Sequence, residues 1–293
     1  MRSDFCTFVI SHGRPDKVVT YKTLLRSGYT GKVYIVIDDE DKTAGQYRAK
    51  FPGIVLMFSK EAVSKTFDEG DNSDNRRTTS YVRNACFDLA EQVGCKYFLV
   101  LDDDYTNFEF RANRRLEAEY FCITKTMDAV ICAMLDFYIA SPCLSIALSQ
   151  GGDWIGPAEE GPWRKGASMR RKAMNSFFCS TDRRFKFVGR LNEDVNTYVS
   201  LSATGGLFFT VMQAKLVQNA TQATSGGMTE AYLDAGTYVK SFFTVMYAPS
   251  CVKIGAMGDP RSGDYRVHHA INWNRAAPLI LRESWRKPSP ENT

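Results

Sequence analysis

Two acidic runs stand directly after apolar runs in this sequence: Asp38-Asp39-Glu40-Asp41 after Lys32 to Ile37, and Asp102-Asp103-Asp104 after Tyr97 to Leu101. Carboxylates this close repel one another and need a cation to sit together. Alternation along an extended chain puts Asp102 and Asp104 on one side, where a divalent ion with oxygen ligands could bridge them to a diphosphate; a solvated turn is the competing reading. Arg83-Asn84 opens a helical pattern, and the unpaired N–H groups of a first helical turn suit an anion or a nucleotide. Glu193-Asp194 precede Val195, Tyr198 and Val199, a short helical stripe, where acids also serve simply to compensate the helix dipole. Of three histidines two are adjacent, His268-His269; in an extended segment they face opposite ways, so at most one can ligate a metal.

Charge adds a second kind of chemistry. The chain carries a net +4, too little to name a partner, but Gly161 to Arg190 concentrates Arg164, Lys165, Arg170, Arg171, Lys172, Arg183, Arg184, Lys186 and Arg190 against the single acid Asp182. Such a block tracks a polyanion or forms a solvated loop. Trp154, Trp163, Phe177 and Phe178 lie among or beside these cations and could stack on bases.

The elements that must position these residues follow from periodicity. Phe5 to Ser11 reads as a strand ending in His12-Gly13-Arg14; Pro15-Asp16 opens a helix with Val18, Tyr21, Leu24 and Leu25 inward, stopped by Gly28. Strands are expected at Lys32 to Ile37, Ile54 to Phe58 and Tyr97 to Leu101, and helices at Thr43 to Lys50 and Ser80 to Val93. Strand alternating with helix, with polar residues at strand ends, predicts an α/β fold with a mostly parallel sheet covered on both faces. Ligands in such folds bind beyond the carboxyl ends of the strands, which makes His12 to Arg14, Asp38 to Asp41 and Asp102 to Asp104 neighbours. After Asp104 the pattern reads as a hairpin strand through Thr106, Phe108 and Phe110, a helix through Met127 to Leu135, a loop over Gly151 to Gly166, and helical or strand stretches at Val195 to Leu201 and Leu207 to Val211.

With 293 residues, 44% of them hydrophobic, the chain can bury a full core without staples, and no apolar run reaches membrane-spanning length. The eight cysteines form no C-x-x-C pair and lie mostly in apolar segments, as buried thiols do, so structural zinc and a disulfide framework are not expected. A soluble protein of a reducing cytoplasm is the expectation.

In order, a strand ending in D-x-D, a helix opening with Arg-Asn, an x-Glu-Asp helix start and a C-terminal His resemble the landmarks of GT-A fold glycosyltransferases, from Phe5 to about Ile271. The opening F-V-I-S-H-G-R-P, with V-Y-I-V-I-D-D-E-D and L-V-L-D-D-D-Y, is similar to the TET/JBP-associated glycosyltransferases, which include the base J glucosyltransferase and many bacteriophage members. The resemblance implies one GT-A domain over 1–293, with a nucleotide-sugar half at 1–105 and an acceptor half with a C-terminal tail at 106–293. It implies a UDP-sugar (glucose favoured) held by His12, Arg14, Asp38, Asp39, Arg83, Asn84, Asp102 and Asp103, and Mn²⁺ or Mg²⁺ on Asp102, Asp104 and one of His268 and His269. Asp194, beside Glu193, would be the base of an inverting reaction. The implied acceptor is 5-hydroxymethylpyrimidine, 5-hydroxymethylcytosine favoured, in double-stranded DNA held by the basic block, with functional coupling to a TET-like oxygenase and, for a phage member, a host-cytoplasm location. A related domain linked to protein glycosylation keeps a protein acceptor open. A sugar nucleotidyltransferase is more distant, since it would carry a Gly-rich loop with Arg and Lys near the first strand, where this chain has only Gly13-Arg14.

Overall fold

In the computed structural model, which describes residues 1–73, 76–110, 121–122, 125–150, 166–218, 238–259 and 264–279, alternation in the first strand feeds two separate cores. In β1 (Phe5–Ile10), Phe5 and Val9 enter one apolar cluster, while Cys6, Phe8 and Ile10 enter another on the opposite face of the sheet. The first cluster is closed by Leu24 of α1 (Val19–Arg26), Tyr47 of α2 (Ala44–Lys50), and Ile131, Leu135 and Tyr138 of α5 (Met127–Ala140). The second is closed by Tyr81, Ala85 and Leu89 of α4 (Thr79–Gln92) and by Val195, Tyr198 and Val199 of α6 (Glu193–Ala203). Burial on both faces is what keeps β2 (Lys32–Asp38) and β4 (Tyr97–Asp102) apolar along most of their length.

With β3 (Val55–Phe58) these strands run parallel in the order β3-β2-β1-β4. The register pairs Ile10 with both Val36 and Asp102, and Asp38 with Phe58, so the residues that follow each strand leave the sheet at one edge. The short α3 (Lys60–Ser64) follows β3 at that same edge, capped by the Ser59 hydroxyl.

Beyond β4 the sheet becomes mixed. β9 (Ser176–Ser180) is antiparallel to β4 and lies between it and β7 (Ser145–Ser149). Next come β10 (Phe208–Gln218), parallel to β7, then β5 (Tyr105–Phe110) and β6 (Phe121–Cys122), with β8 (Ala167–Ser168) also on β10. Following the pairings around, β1, β2, β3, β4, β6, β7 and β10 point one way and β5, β8 and β9 the other, so the sheet is α/β and mostly parallel, as the alternation predicts. The ten-stranded sheet is continuous across residue 105, where the sequence suggests a division into halves. A separate hairpin, β11 (Val252–Asp259) with β12 (Asp264–Ile271), packs against α7 (Val239–Tyr247); α6 packs on α7 and on α8 (Trp273–Ala276).

The chief local departure is at Pro15. A single 3-10 turn (Pro15–Lys17) forms there and breaks at Val18; α1 starts only at Val19. The break follows from a tether: Thr20 donates its N–H to the Asp103 carbonyl at 3.0 Å and its hydroxyl to the Asp102 carbonyl at 2.6 Å, aiming α1 by the end of β4. Cys6, Cys86, Cys95, Cys132, Cys143, Cys179 and Cys251 are free thiols, all but Cys132 buried. The predicted loop 151–166 falls outside the described residues except for Gly166.

Arg183 has a structural task that its sequence context hides. Its Nη1 donates to the carbonyls of Tyr138, Ser141 and Cys143 at 3.0, 2.7 and 3.0 Å, closing the C-terminal end of α5, with the guanidinium 4.8 Å from the centre of the Tyr138 ring. Arg183→Met should lower stability by about 2 kcal/mol, since charged hydrogen bonds to orphan carbonyls are lost. The midpoint of urea unfolding checks this at unchanged slope; a midpoint equal to wild type would remove the capping role.

Candidate active site

Ser11, directly beyond β1, sets the first group of contacts. Its hydroxyl donates to Asp103 Oδ2 at 2.5 Å and lies 2.6 Å from the Tyr47 hydroxyl. Arg14 closes on the same carboxylate in a two-point pair, Nε to Oδ2 at 2.9 Å and Nη2 to Oδ1 at 2.5 Å. Burial pushes the Asp103 carboxyl up, and Arg14 and Ser11 oppose it. Both residues are expected from the sequence to hold a nucleotide. In the structure Arg14 and Asp103 pair with each other, with Asp103 buried and the edge of Arg14 exposed.

The acids after β2 are engaged in the same way. Asp38 accepts from His12 Nδ1 at 2.6 Å through Oδ2, and from Lys60 Nζ at 3.1 Å and Glu40 N at 3.2 Å through Oδ1. Burial works against this carboxylate, but His12 and Lys60 outweigh it and hold its pKa below the ordinary value. Asp39 accepts the N–H of Lys60, the first residue of α3, at 2.9 Å. Asp41, which the sequence reading gave no task, accepts Gly13 N at 2.8 Å and Thr43 N at 2.7 Å. Gly13 has φ +68°, a left-handed turn that suits glycine and delivers its N–H to Asp41. His12 keeps its ring half exposed at this edge. Lys60 was the missed member. Its signal was position, since Ser59-Lys60 directly follows β3 as the other polar groups follow their strands.

Arg83 and Asn84 are not at an open helix start. Thr78 caps α4, which begins at Thr79, so both residues sit in the second turn and are buried. Asn84 exchanges two 2.9 Å hydrogen bonds with the main chain of Phe187. Arg83 donates Nη1 to Glu193 Oε1 at 2.7 Å and Nη2 to Asp102 Oδ1 at 3.2 Å, and Thr79 donates its hydroxyl to the same Glu193 oxygen. The end of β4 and the start of α6 are therefore joined through one guanidinium.

Asp102 and Asp194 are both elevated near it, as Asp103 and Asp104 are beyond the end of β4. Asp102 is pushed up to about 6, by burial first and then by Asp104 and Glu193, with Arg83 opposing. Asp104 is raised by burial and Asp103. Asp194 is pushed up to about 6 by burial and by Glu193, against Arg83, the Val195 N–H and Lys172. The plain capping explanation of this helix start does not hold for Asn192. Its φ is +59°, and its side chain donates to Thr244 on α7 instead of capping, while Thr244 donates in turn to Asn196 at 2.9 Å.

The histidines lie beside Lys172. Their rings do not face opposite ways but lie together, with centres 4.1 Å apart. His268 Nε2 lies 3.5 Å from Lys172 Nζ. His269 is buried, neither ring nitrogen has a partner among the described residues, and burial with Lys172, His268 and Lys240 nearby pushes its pKa down to about 3. Among the described residues no three His, Cys, Asp or Glu converge on a point that could hold a metal, so Asp102, Asp104 and a histidine are not assembled into one centre here. Asp102 and Asp104 alone offer two hard oxygen donors of raised pKa, a set that suits Mg²⁺ or Mn²⁺, which draw several ligands from phosphate and water.

Residues 5–227 match the TET-Associated Glycosyltransferase family, more than half of the chain. The chain belongs to that family. It is a glycosyltransferase, and the opening strand, both acidic strand ends and the α6 start all lie inside the matched span. No curated protein matches the chain. Among solved structures, glucosyl-3-phosphoglycerate synthase from Mycobacterium tuberculosis with Mg²⁺ and UDP is similar at TM-score 0.48 and 8% identity, over 92% of this chain and 88% of that one. The same enzyme with Mn²⁺ and UDP-glucose gives 0.48 and 8%, over 92% and 87%. A further mycobacterial protein gives 0.45 and 10%, over 96% and 85%. At such scores the likeness carries no weight for the residues of this family member.

In this glycosyltransferase much of the basic block is engaged within the fold. Arg183 caps α5; Arg184 pairs with Asp88 and with Glu91, and Arg190 pairs with Asp71 at 2.6 Å. Arg170 and Lys186 are exposed, and Arg171 and Lys172 half-buried. Arg164, Lys165, Trp154 and Trp163 lie outside the described residues. Phe177 and Phe178 are buried in β9 and offer no face for stacking.

Raised carboxyls make a prediction about stability. A carboxyl at about 6 when folded and near 4 when unfolded keeps the native state better protonated between those values, so stability is fullest below about pH 4 and falls as pH rises through 6. Asp194→Asn should therefore raise stability at pH 8 by about 1–3 kcal/mol and leave it unchanged near pH 4. Thermal unfolding across that range checks it; a variant no more stable at pH 8 would mean that Asp194 carries no uncompensated charge.

Proposed function

We propose that this glycosyltransferase moves a sugar from a UDP-sugar, glucose favoured, to the hydroxymethyl oxygen of 5-hydroxymethylcytosine in double-stranded DNA, with inversion at the anomeric carbon. The observation that carries the reading is the bridge that Arg83 makes between Asp102, at the end of β4, and Glu193 at the start of α6, with Asp102 and Asp194, the residue after Glu193, both elevated. Asp194, with a pKa of about 6, is mostly ionised at neutral pH yet more basic than an ordinary aspartate, as a general base should be. It accepts the acceptor's hydroxyl proton while that oxygen bonds to the anomeric carbon and the bond to the diphosphate breaks. Glu193 does not share this task, because its Oε1 is held by Arg83 and Thr79. Asp102 and Asp104 would hold Mn²⁺ or Mg²⁺; when bound, the ion supplies Lewis-acid stabilisation of the leaving diphosphate. His12, half exposed at the same edge, is the group best placed to meet the uridine.

For the acceptor, Arg170, Arg171, Lys172 and Lys186 of the basic block would meet DNA phosphates, and a flipped base would bring the hydroxymethyl group to Asp194. A soluble location and coupling to a TET-like oxygenase, which would generate the hydroxymethyl group, accord with this reading.

The decisive experiment is mass spectrometry of hydroxymethylated and unmodified DNA, and of candidate protein acceptors, after incubation with a panel of UDP-sugars and Mn²⁺. A hexose on hydroxymethylated DNA alone is expected, lost in excess EDTA and in Asp102→Asn. Asp194→Asn should cost about 100- to 10,000-fold in kcat at nearly unchanged donor binding. Sugar on protein and none on DNA, or a product with the donor's anomeric configuration, would overturn the acceptor or the base assignment respectively. If about three phosphates are neutralised, log Kd for duplex DNA should change with log salt at a slope of magnitude near 3.

A further inference from the structure

Arg83 is one of the largest side chains that the fold buries. Its guanidinium lies 5.1 Å from the centre of the Phe177 ring and 5.7 Å from that of Phe187, with Nε unpartnered among the described residues. Taking a guanidinium out of water is costly, and an apolar side chain would fill such a place with less loss of stability. What an apolar residue could not do is hold Asp102 and Glu193 at one separation. The planar fork of arginine meets two acids at once, which the single ammonium of lysine does not. At 2% exposure Arg83 has no face left for a nucleotide, so the donor-binding role suggested by the sequence does not fit it.

We propose that Arg83 is a positioning residue that ties the metal-side carboxylate Asp102 to the base-bearing start of α6 through Glu193, so that the affinity of Asp102 for a divalent cation depends on the charge of Glu193. This rests on the reading above that Asp102 faces the metal. Arg83 divides its charge between two acids. Neutralising Glu193 turns the whole guanidinium charge on Asp102, which then holds a cation less well. Removing Arg83 leaves Asp102 beside Asp104 and Glu193 with no internal cation; metal binds more readily, but nothing keeps the two acidic segments in step.

The test is Mn²⁺ binding, by electron paramagnetic resonance without substrate, to wild type, Glu193→Gln, Arg83→Met and the double variant, together with kcat and donor KM. Glu193→Gln should weaken Mn²⁺ binding about threefold to tenfold, Arg83→Met should tighten it, and the double variant should match Arg83→Met within about twofold. In each single variant kcat should fall about tenfold or more with donor KM within about threefold of wild type. If Arg83→Met does not fold, Arg83→Lys replaces it, and the effect of Glu193→Gln should again shrink to less than about twofold. An equal effect of Glu193→Gln with and without Arg83 overturns the proposal, as does a raised donor KM with kcat retained in the Arg83 variant. A wild type that shows this coupling but transfers no sugar from any UDP-sugar would refute the donor assignment and leave the proposal standing. A wild type that binds no Mn²⁺ would overturn it.

Discussion

Carboxylates drawn out of water at the ends of parallel strands each have to be met by a cation or an N–H from inside the chain, and much of the site's architecture follows from how that demand is satisfied. Asp103 meets Arg14 and Ser11; Asp38 meets Lys60 and His12; Asp102 meets Arg83, which also holds Glu193. Each of these pairings joins different elements, and those of Arg14 with Asp103 and Arg83 with Glu193 span much of the chain. Arg14 fixes the turn after β1 to the end of β4, Lys60 fixes α3 to β2, and Arg83 fixes α4 to β4 and α6. The ion pairs are poor sources of net stability, but they hold the strand-end segments in register with one another.

Two acids are left incompletely compensated by this arrangement. Asp102 and Asp194 both lie near 6, where a neighbouring positive charge or a proton changes their state within the physiological range. A site built for metal-assisted transfer needs that kind of unsatisfied carboxylate, and Asp38, held below its ordinary value by His12 and Lys60, does not supply it. The position of an acid beyond a strand therefore does not say what it does. Its internal partners do.

The first four strands and α4 were legible because their periodicity is unbroken and their ends carry polar residues, so the sheet rule alone gathered His12, Asp38 and Asp102 at one edge. The direction of individual side chains was not legible. Arg83 reads as part of an anion or nucleotide site at a helix opening because nothing local reveals Glu193, more than a hundred residues away in the sequence, and Arg183, Arg184 and Arg190 read as a polyanion site because their partners on α5, α4 and the Asp71 loop lie well outside the basic block. The adjacent histidines read as facing opposite ways, and nothing in their own sequence shows that their rings lie together. Phe177 and Phe178 stand beside cations in the sequence, yet both are core residues, since β9 is covered on both faces.

The place of β9 also bears on how the chain is made. Its partner strands β4 and β7 both precede it in the sequence, and the stretch between β7 and β9 contains the region 151–165. While the polypeptide emerges from the ribosome, β1 to β4 can pair as soon as they are synthesised, but the outer edge of β4 stays open until residues 176–180 arrive to fill it. β5 waits longer still, for β10. Exposed apolar strand edges held open during synthesis recruit foreign strands, and non-local pairing slows closure. The nascent N-terminal half of this enzyme thus carries an open strand edge until β9 slots into place.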